Sequence, residues 1–250
     1  MPKSPRKKAA ARRAPAKKRK PTPPPPVIVD DETWTTGDFS LISSDDVRFR
    51  VDSMLLFAAS RVFRDSSETS SGDKLVHLTD PDFETATVVR AVLDLVLKYQ
   101  YQPLKGDKQG TVLDVPPLVV RVACFLHKYD CGLELLRLED CVFERFRHYP
   151  HYAGFTRDWF IVGALANNVA ACTAAINSTA VNIVPHPNHS KPGGNCHYDD
   201  APLIPGNMSK AVKATVPRHY LAALALGWDS SGPGRSRAVW AAQFKLNLKP

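Results

Sequence analysis

The chain has 250 residues, 44% hydrophobic and 23% charged, which is enough apolar material for one compact domain of ordinary size, or for one domain plus a helical extension, and excludes a collagen-like or wholly disordered chain. No apolar run approaches the ~18 residues that a membrane-crossing helix needs, the longest candidate being Tyr220 to Trp228. The formal charge of +8 belongs to the first 20 residues, which hold ten basic and no acidic side chains; residues 21–250 carry 23 basic and 25 acidic groups, a net of −2, and so lack the positive face of a body built to grip nucleic acid.

Residues 1–26 are low in complexity and close on the run Pro23 to Pro26. Like charges repel and proline cannot continue a helix, so a disordered, extended basic arm with a stiff polyproline spacer is expected. The folded body opens near Val27. Phe39 to Ile42 and Val47 to Val51 alternate apolar and polar residues, the period of a half-buried strand, and Ser43 to Asp46 supply turn chemistry between them, so a hairpin is predicted. Ser53 is the expected cap of a short helix with Met54, Leu55 and Ala58 on one side. A polar stretch, Asp65 to Asp73, precedes a third short strand at Leu75 to Leu78. Asp80-Pro81-Asp82 reads as a helix start, with Phe83, Val88, Val89, Val92, Leu95, Val96 and Tyr99 on its apolar face. A loop at Gly106 to Gly110 follows, then a helix opened by Asp114 to Pro117 and stopped by Gly132, and another over Leu133 to Arg147. Beyond residue 150 the pattern stays helical: Thr156 is the expected cap of Arg157 to Ala166, and a further segment covers Asn168 to Ile176. Residues 177–210 dissolve into Pro, Gly, Asn and His. A last helix is expected near Arg218 to Leu226, then a loop over Ser230 to Arg237 and a short apolar end at Val239 to Phe244. Strands grouped early and helices clustered late predict an α+β body. Its divisions are a tail at 1–26, a mixed domain at 27–150 and an all-α extension at 151–250 with a flexible loop at 177–210.

The five cysteines, Cys124, Cys131, Cys141, Cys172 and Cys196, are odd in number and form no Cys-x-x-Cys, and the N-terminus lacks the apolar core of a secretory signal. Reduced, mostly buried thiols of an intracellular protein are expected.

Three segments carry a family resemblance. Gly37-Asp38-Phe39-Ser40-Leu41-Ile42, Val47 to Val51, and Leu55 to Phe63, which contains Ser60-Arg61-Val62-Phe63, resemble the opening of a BTB/POZ domain. Asp82-Phe83-Glu84 with Leu93, Leu97 and Tyr99 is similar to that family's central helix. Ala123 to Asp130 resembles its Lys-Tyr helix, and Leu138 to Phe146 its closing helix. The likeness spans about residues 37–148. Together with Val216 to Leu224, the whole chain is most similar to fungal BTB proteins that carry a helical extension. The resemblance implies a small sheet packed on a helical cluster, followed by the all-α extension. It also implies a non-catalytic adaptor or scaffold that self-associates or recruits a cullin ubiquitin-ligase scaffold or a transcriptional regulator. The candidate interface side chains are Met54, Leu55, Tyr99, Tyr101 and Tyr129. Two departures bear on this. Asp52 and Ser53 stand where many members carry a His-Lys pair, so of the charged pocket only the acidic half, Asp38, is kept. After Tyr99-Gln100-Tyr101 there is no apolar-x-Glu signal for cullin binding.

Lys17, Lys18, Arg19 and Lys20, followed by Pro21, have the form of a nuclear-import signal read by an acidic groove of an import receptor. They predict a nuclear protein, cytoplasmic if the arm has no reader. Ser4 to Lys8 resembles minor-groove motifs of chromatin proteins. Non-specific phosphate contact through the arm is therefore the alternative function, with no base-reading helix to accompany it. His186, His189 and Cys196 are ligand-rich but meet no finger spacing, so a polar loop is the favoured reading and they remain a weak metal candidate. Neither a Gly-rich phosphate loop nor a nucleophile–base pair with an oxyanion hole is evident, so no enzymatic activity and no cofactor are expected. Trp159, Phe160 and Trp228 are expected to pack helices together rather than to anchor a partner.

Overall fold

The computed structural model describes residues 27–69, 74–98, 117–148, 153–178, 203–206, 208–231 and 236–248. Within these the protein is mixed α+β: a small four-stranded sheet beside a large helical cluster. The expected hairpin is present. Strand β2 (Phe39–Ile42) runs antiparallel to β3 (Val47–Val51), with Leu41 opposite Phe49. At the turn the Ser43 hydroxyl oxygen accepts the Val47 N–H at 3.0 Å, and Asp46 takes φ +62°, which a short polar side chain tolerates. Gly37, at φ +146°, carries the chain over the end of β3. A Cβ there would lie 2.2 Å from the carbonyl carbon of Val51, so no other residue fits.

Strand β1 (Val29–Thr35) was not anticipated. It pairs parallel to β3, with the register broken between Asp30 and Thr35. Its stability comes from a side chain instead of an apolar alternation. The buried carboxylate of Asp31 accepts the N–H groups of Thr33 (2.8 Å) and Trp34 (3.0 Å) and the guanidinium of Arg90, whose Nε stands 3.1 Å away. Burial pushes the Asp31 carboxyl up, but the Trp34 amide, Arg90 and the Thr33 amide outweigh it and hold it below its usual range. Strand β4 (Leu75–His77), the expected third strand, runs parallel to β2 and completes the order β1-β3-β2-β4.

Helix α1 (Ser53–Ala59) is capped by Asp52, not Ser53; the Asp52 carboxylate accepts the Met54 N–H at 2.9 Å. Helix α2 (Arg61–Thr69) runs into the polar stretch that begins at Asp65. Buried Phe63 and the Arg61–Asp65 pair one turn apart, at 3.5 Å, hold it, and neither makes a visible apolar period. Helix α3 (Ala86–Lys98) begins later than its Asp-Pro signal. Asp80 to Phe83 form a turn instead, and the first helical amide, Ala86 N–H, donates to the Asp45 carboxylate of the hairpin turn at 2.7 Å. Phe83 therefore stays outside the helix that buries Val88, Val89, Val92, Leu95 and Val96.

Helix α4 (Leu118–Lys128) ends at Tyr129 and turns on Asp130, at φ +52°; Gly132, expected to stop it, instead begins α5 (Gly132–His148). Helix α6 (Ala153–Leu165) takes Thr156 inside it, buried, so Thr156 is not the cap. Helix α7 (Val169–Ser178) follows Asn167, at φ +55°, and Asn168, whose side-chain oxygen accepts the Ala171 N–H at 3.1 Å. Helix α8 (Lys210–Thr215), capped by Ser209, lies at the end of the stretch expected to be loop. Helix α9 (Arg218–Ser231) runs longer than read, and α10 (Arg237–Asn247) replaces the short apolar end. α10 depends on its neighbours. The Trp240 indole donates to the Leu224 carbonyl at 3.1 Å, and the Phe244 ring meets Phe160 and Tyr220 at 5.7 and 6.1 Å. Trp159 and Phe160 are buried and Trp228 packs edge-on against Trp240, so all three aromatics brace helices as expected.

One apolar core runs without a break from Phe39 to Phe244, and α6 packs on both α4 and α5. The helices after residue 150 thus share the core of the mixed segment before it.

Candidate protein interface

Helix α1 places the first two candidate residues in solvent. Leu56 is its one fully buried side chain, while Met54 is 71% and Leu55 46% exposed, and Ala58 is exposed beside them. A seven-residue helix has only about two turns, so burying Leu56 turns the adjacent apolar positions outward. α1 lies against α3 and α5, and α5 itself exposes Leu133 (58%) and Leu136 (46%), while Val62 of α2 is also exposed. Leu133 and Leu136 were not singled out from sequence. They fall out of phase with the buried positions Cys131, Leu135, Leu138 and Val142, and that phase is the signal that marks them as outward-facing.

Tyr129 does not belong to this face. Its ring is buried, stacked on Phe63 at 4.5 Å and 10° and packed on Phe125 at 4.5 Å, and its hydroxyl donates to Glu84 at 2.7 Å. An aromatic at the end of a helix has two faces to cover, and here Phe63 and Phe125 cover them. Tyr99 and Tyr101 lie outside the described residues, as do Lys17, Lys18, Arg19 and Lys20 of the import signal and His186, His189 and Cys196 of the metal candidate. Among the described residues no group of three potential ligands could hold a metal ion, and no helix is long and apolar enough to cross a membrane.

Two polar clusters support α1. In the first, the Ser60 hydroxyl donates to the Tyr129 carbonyl and accepts the Phe63 N–H at 3.2 Å. The Ser60-x-x-Phe63 spacing thus ties the α1–α2 junction to the end of α4 through one hydroxyl and one ring. Beneath it Glu84, fully buried, accepts the Thr79 N–H (2.6 Å), the Asp80 N–H (2.7 Å), the Tyr129 hydroxyl and the Lys128 ammonium. Every polar bond this carboxylate can make is taken by the fold, which leaves it no role toward a substrate.

The second cluster is exposed. Asp38 accepts the Ser53 N–H and hydroxyl, each at 2.8 Å, and the Lys74 ammonium. Lys74 chiefly, then the Ser53 amide and hydroxyl, hold its carboxyl well below the usual range. Lys74, from beside β4, supplies a cation that the Asp52-Ser53 positions lack. It was not legible in sequence because the two residues stand 36 positions apart.

Three of the described thiols, Cys124, Cys131 and Cys172, are suited to packing and not to nucleophilic chemistry. Burial pushes the Cys124 and Cys131 thiols up to about 12 and raises that of Cys172 as well, so all three are protonated at neutral pH. No family model, curated protein or solved structure matches this chain.

Proposed function

We propose that the chain is a non-catalytic interaction module of BTB/POZ type, an adaptor or scaffold that binds itself or a protein partner and acts in the nucleus. The observation that carries this reading is the unburied apolar surface of α1, Met54 and Leu55, on a helix held rigidly from below. Large apolar side chains kept outward on a well-anchored element gain their burial in a complex. The element order supports it too: a hairpin, two short helices, a third strand parallel to the first of the hairpin, and then a helical cluster. A cullin scaffold or a transcriptional regulator is the partner class that the resemblance implies.

The test is a Met54→Asp, Leu55→Asp double variant. Two anchors of this kind contribute about 1–2 kcal/mol each, so affinity for a second copy or for a captured nuclear partner falls at least about 10-fold. The melting temperature stays unchanged because neither side chain is in the core. Light scattering after size exclusion, together with capture from nuclear extract, measures both. A wild-type chain that is strictly monomeric and recovers no partner overturns the reading.

A second reading rests on the segregation of charge: a chromatin regulator whose arm grips DNA non-specifically. Ten cations in 20 residues, with six or more of them engaged, predict a loss of about 10³ in affinity between 50 and 200 mM salt. DNA retention that is absent, or insensitive to salt, excludes it.

A further inference from the structure

Helices α5, α6 and α7 border a wide-open cavity of about 270 Å³ that the interaction reading does not use. The buried carboxylate of Glu139, 7% exposed, forms its floor. The Asn168 side-chain amide donates to both Glu139 oxygens at 3.0 Å, and the Trp159 indole beside them favours the charged carboxylate. Both groups are neutral. Among the described residues no lysine, arginine or histidine pairs with Glu139 or with Asp140 on the rim. Burial first, and then the neighbouring Asp140 charge, push the Glu139 carboxyl up. The other buried carboxylates tied across the fold, Asp31 and Glu84, each have a cation. Glu139 stands apart in this respect, held by the Asn168 amide at the capped start of α7.

The walls state what would complete it. On one side the rings of Phe143 and Trp159 lie 5.0 Å apart at 37°. On the other, Ala170, Ala171 and Ala174 are too small to fill the space. Aromatic faces and carboxylates both attract a cation, and apolar walls suit a flexible alkyl stem. An anion would be repelled, and a neutral group would leave the buried charge uncompensated.

We propose that this cavity receives a lysine side chain of the chain's own N-terminal arm, from the same or a second copy. The arm supplies ten of the 33 basic residues with no acid among them, opposite a body of net −2. Lys17 precedes Val27 by ten residues, about 33 Å of extended chain, roughly the width of a small domain. The inference does not rest on partner binding by α1.

The test is zero-length carbodiimide coupling of amines to carboxylates in the full chain at low salt, read by peptide mass spectrometry. Coupling of arm lysines to Asp140 is expected to exceed coupling to the exposed Asp30, Asp52 and Asp65 several-fold. It should vanish in Asp140→Asn for want of the carboxylate, fall several-fold in Phe143→Ala and decline when salt is raised to roughly 0.5 M, where screening is short-ranged. Asp140 and Phe143 are both partly or wholly exposed, so these variants keep the fold, and thermal melting checks this. Coupling spread evenly over surface carboxylates overturns the proposal. So does Asp140 coupling to Lys245, which lines the neighbouring cavity along α7. So does a full chain with its arm lysines changed to glutamine that binds a peptide of residues 15–22 no better than the wild type does, since an occupied site must open when the arm is neutralised.

Discussion

Replacing Glu84 by alanine lowers folding stability by about 3–5 kcal/mol, the range for removing one partner of a buried, hydrogen-bonded charge pair. The change strands the Thr79 and Asp80 amides, the Tyr129 hydroxyl and the Lys128 ammonium together. Urea unfolding at pH 7 measures it. Glu84→Gln keeps an acceptor for some of the four donors but not for all, and is less damaging. The acid limb carries the same information. Burial pushes the Glu84 carboxyl up, but Lys128, an Asp80 backbone bond and Tyr129 outweigh it and hold the group below its ordinary value. A carboxyl depressed in the fold contributes stability that is complete above its unfolded value of about 4.3 and is lost as pH falls through the folded value. The wild type therefore loses stability between about pH 5 and 3 more steeply than Glu84→Gln does. Parallel curves would mean that Glu84 is not the charged keystone of the α3–α4 contact.

The second large effect is at Phe63. Its ring is fully buried, stacked on Tyr129, tilted against Phe125 at 6.3 Å and edge-on to Phe39 at 6.5 Å. Phe63→Ala costs about 3–5 kcal/mol, and Phe63→Leu about 1.5 or less, because the second fills most of the cavity that the first leaves. Ser60→Ala acts on the same junction by stranding the Phe63 amide. The pair Ser60→Ala, Phe63→Leu should be non-additive by about 0.5–3 kcal/mol in a double-mutant cycle. Additive losses would show that the hydroxyl and the ring act separately, and that the Ser-x-x-Phe spacing has no joint structural meaning.

The elements most legible in sequence are those that carry their own period. Val47 to Val51 alternates strictly, Phe39 to Leu41 does so in part, and the turn residues sit between them, so the existence of the hairpin followed. Helices α3, α4, α5, α7 and α9 have apolar residues at helical spacing, and each appears near its expected place. The misses share one cause. β1 has no alternation because a buried aspartate secures it. α10 has only Trp240, Ala241 and Phe244 in the core, too few to announce a helix before α9 and α7 are beside it. α3 begins at Ala86 because a carboxylate 41 positions earlier, in the hairpin turn, takes its first amide. Of the interface side chains that the resemblance implies, Met54 and Leu55 are exposed on α1. Tyr129 was chosen on the same grounds and lies inside. One helical turn of apolar residues does not reveal which of them another element will cover.

The linear chain alone determined where charge resides, a cationic arm ahead of a near-neutral body, and which stretches alternate or repeat at helical spacing; both depend only on neighbours a few residues away. Tertiary structure alone decided which apolar side chains are spent in the core and which stay exposed, which amides the caps reach, and why Glu84 and Asp31 have cations while Glu139 has none among the described residues. Those outcomes depend on groups brought together across tens of residues, where the energy of a contact is settled by what happens to be packed opposite.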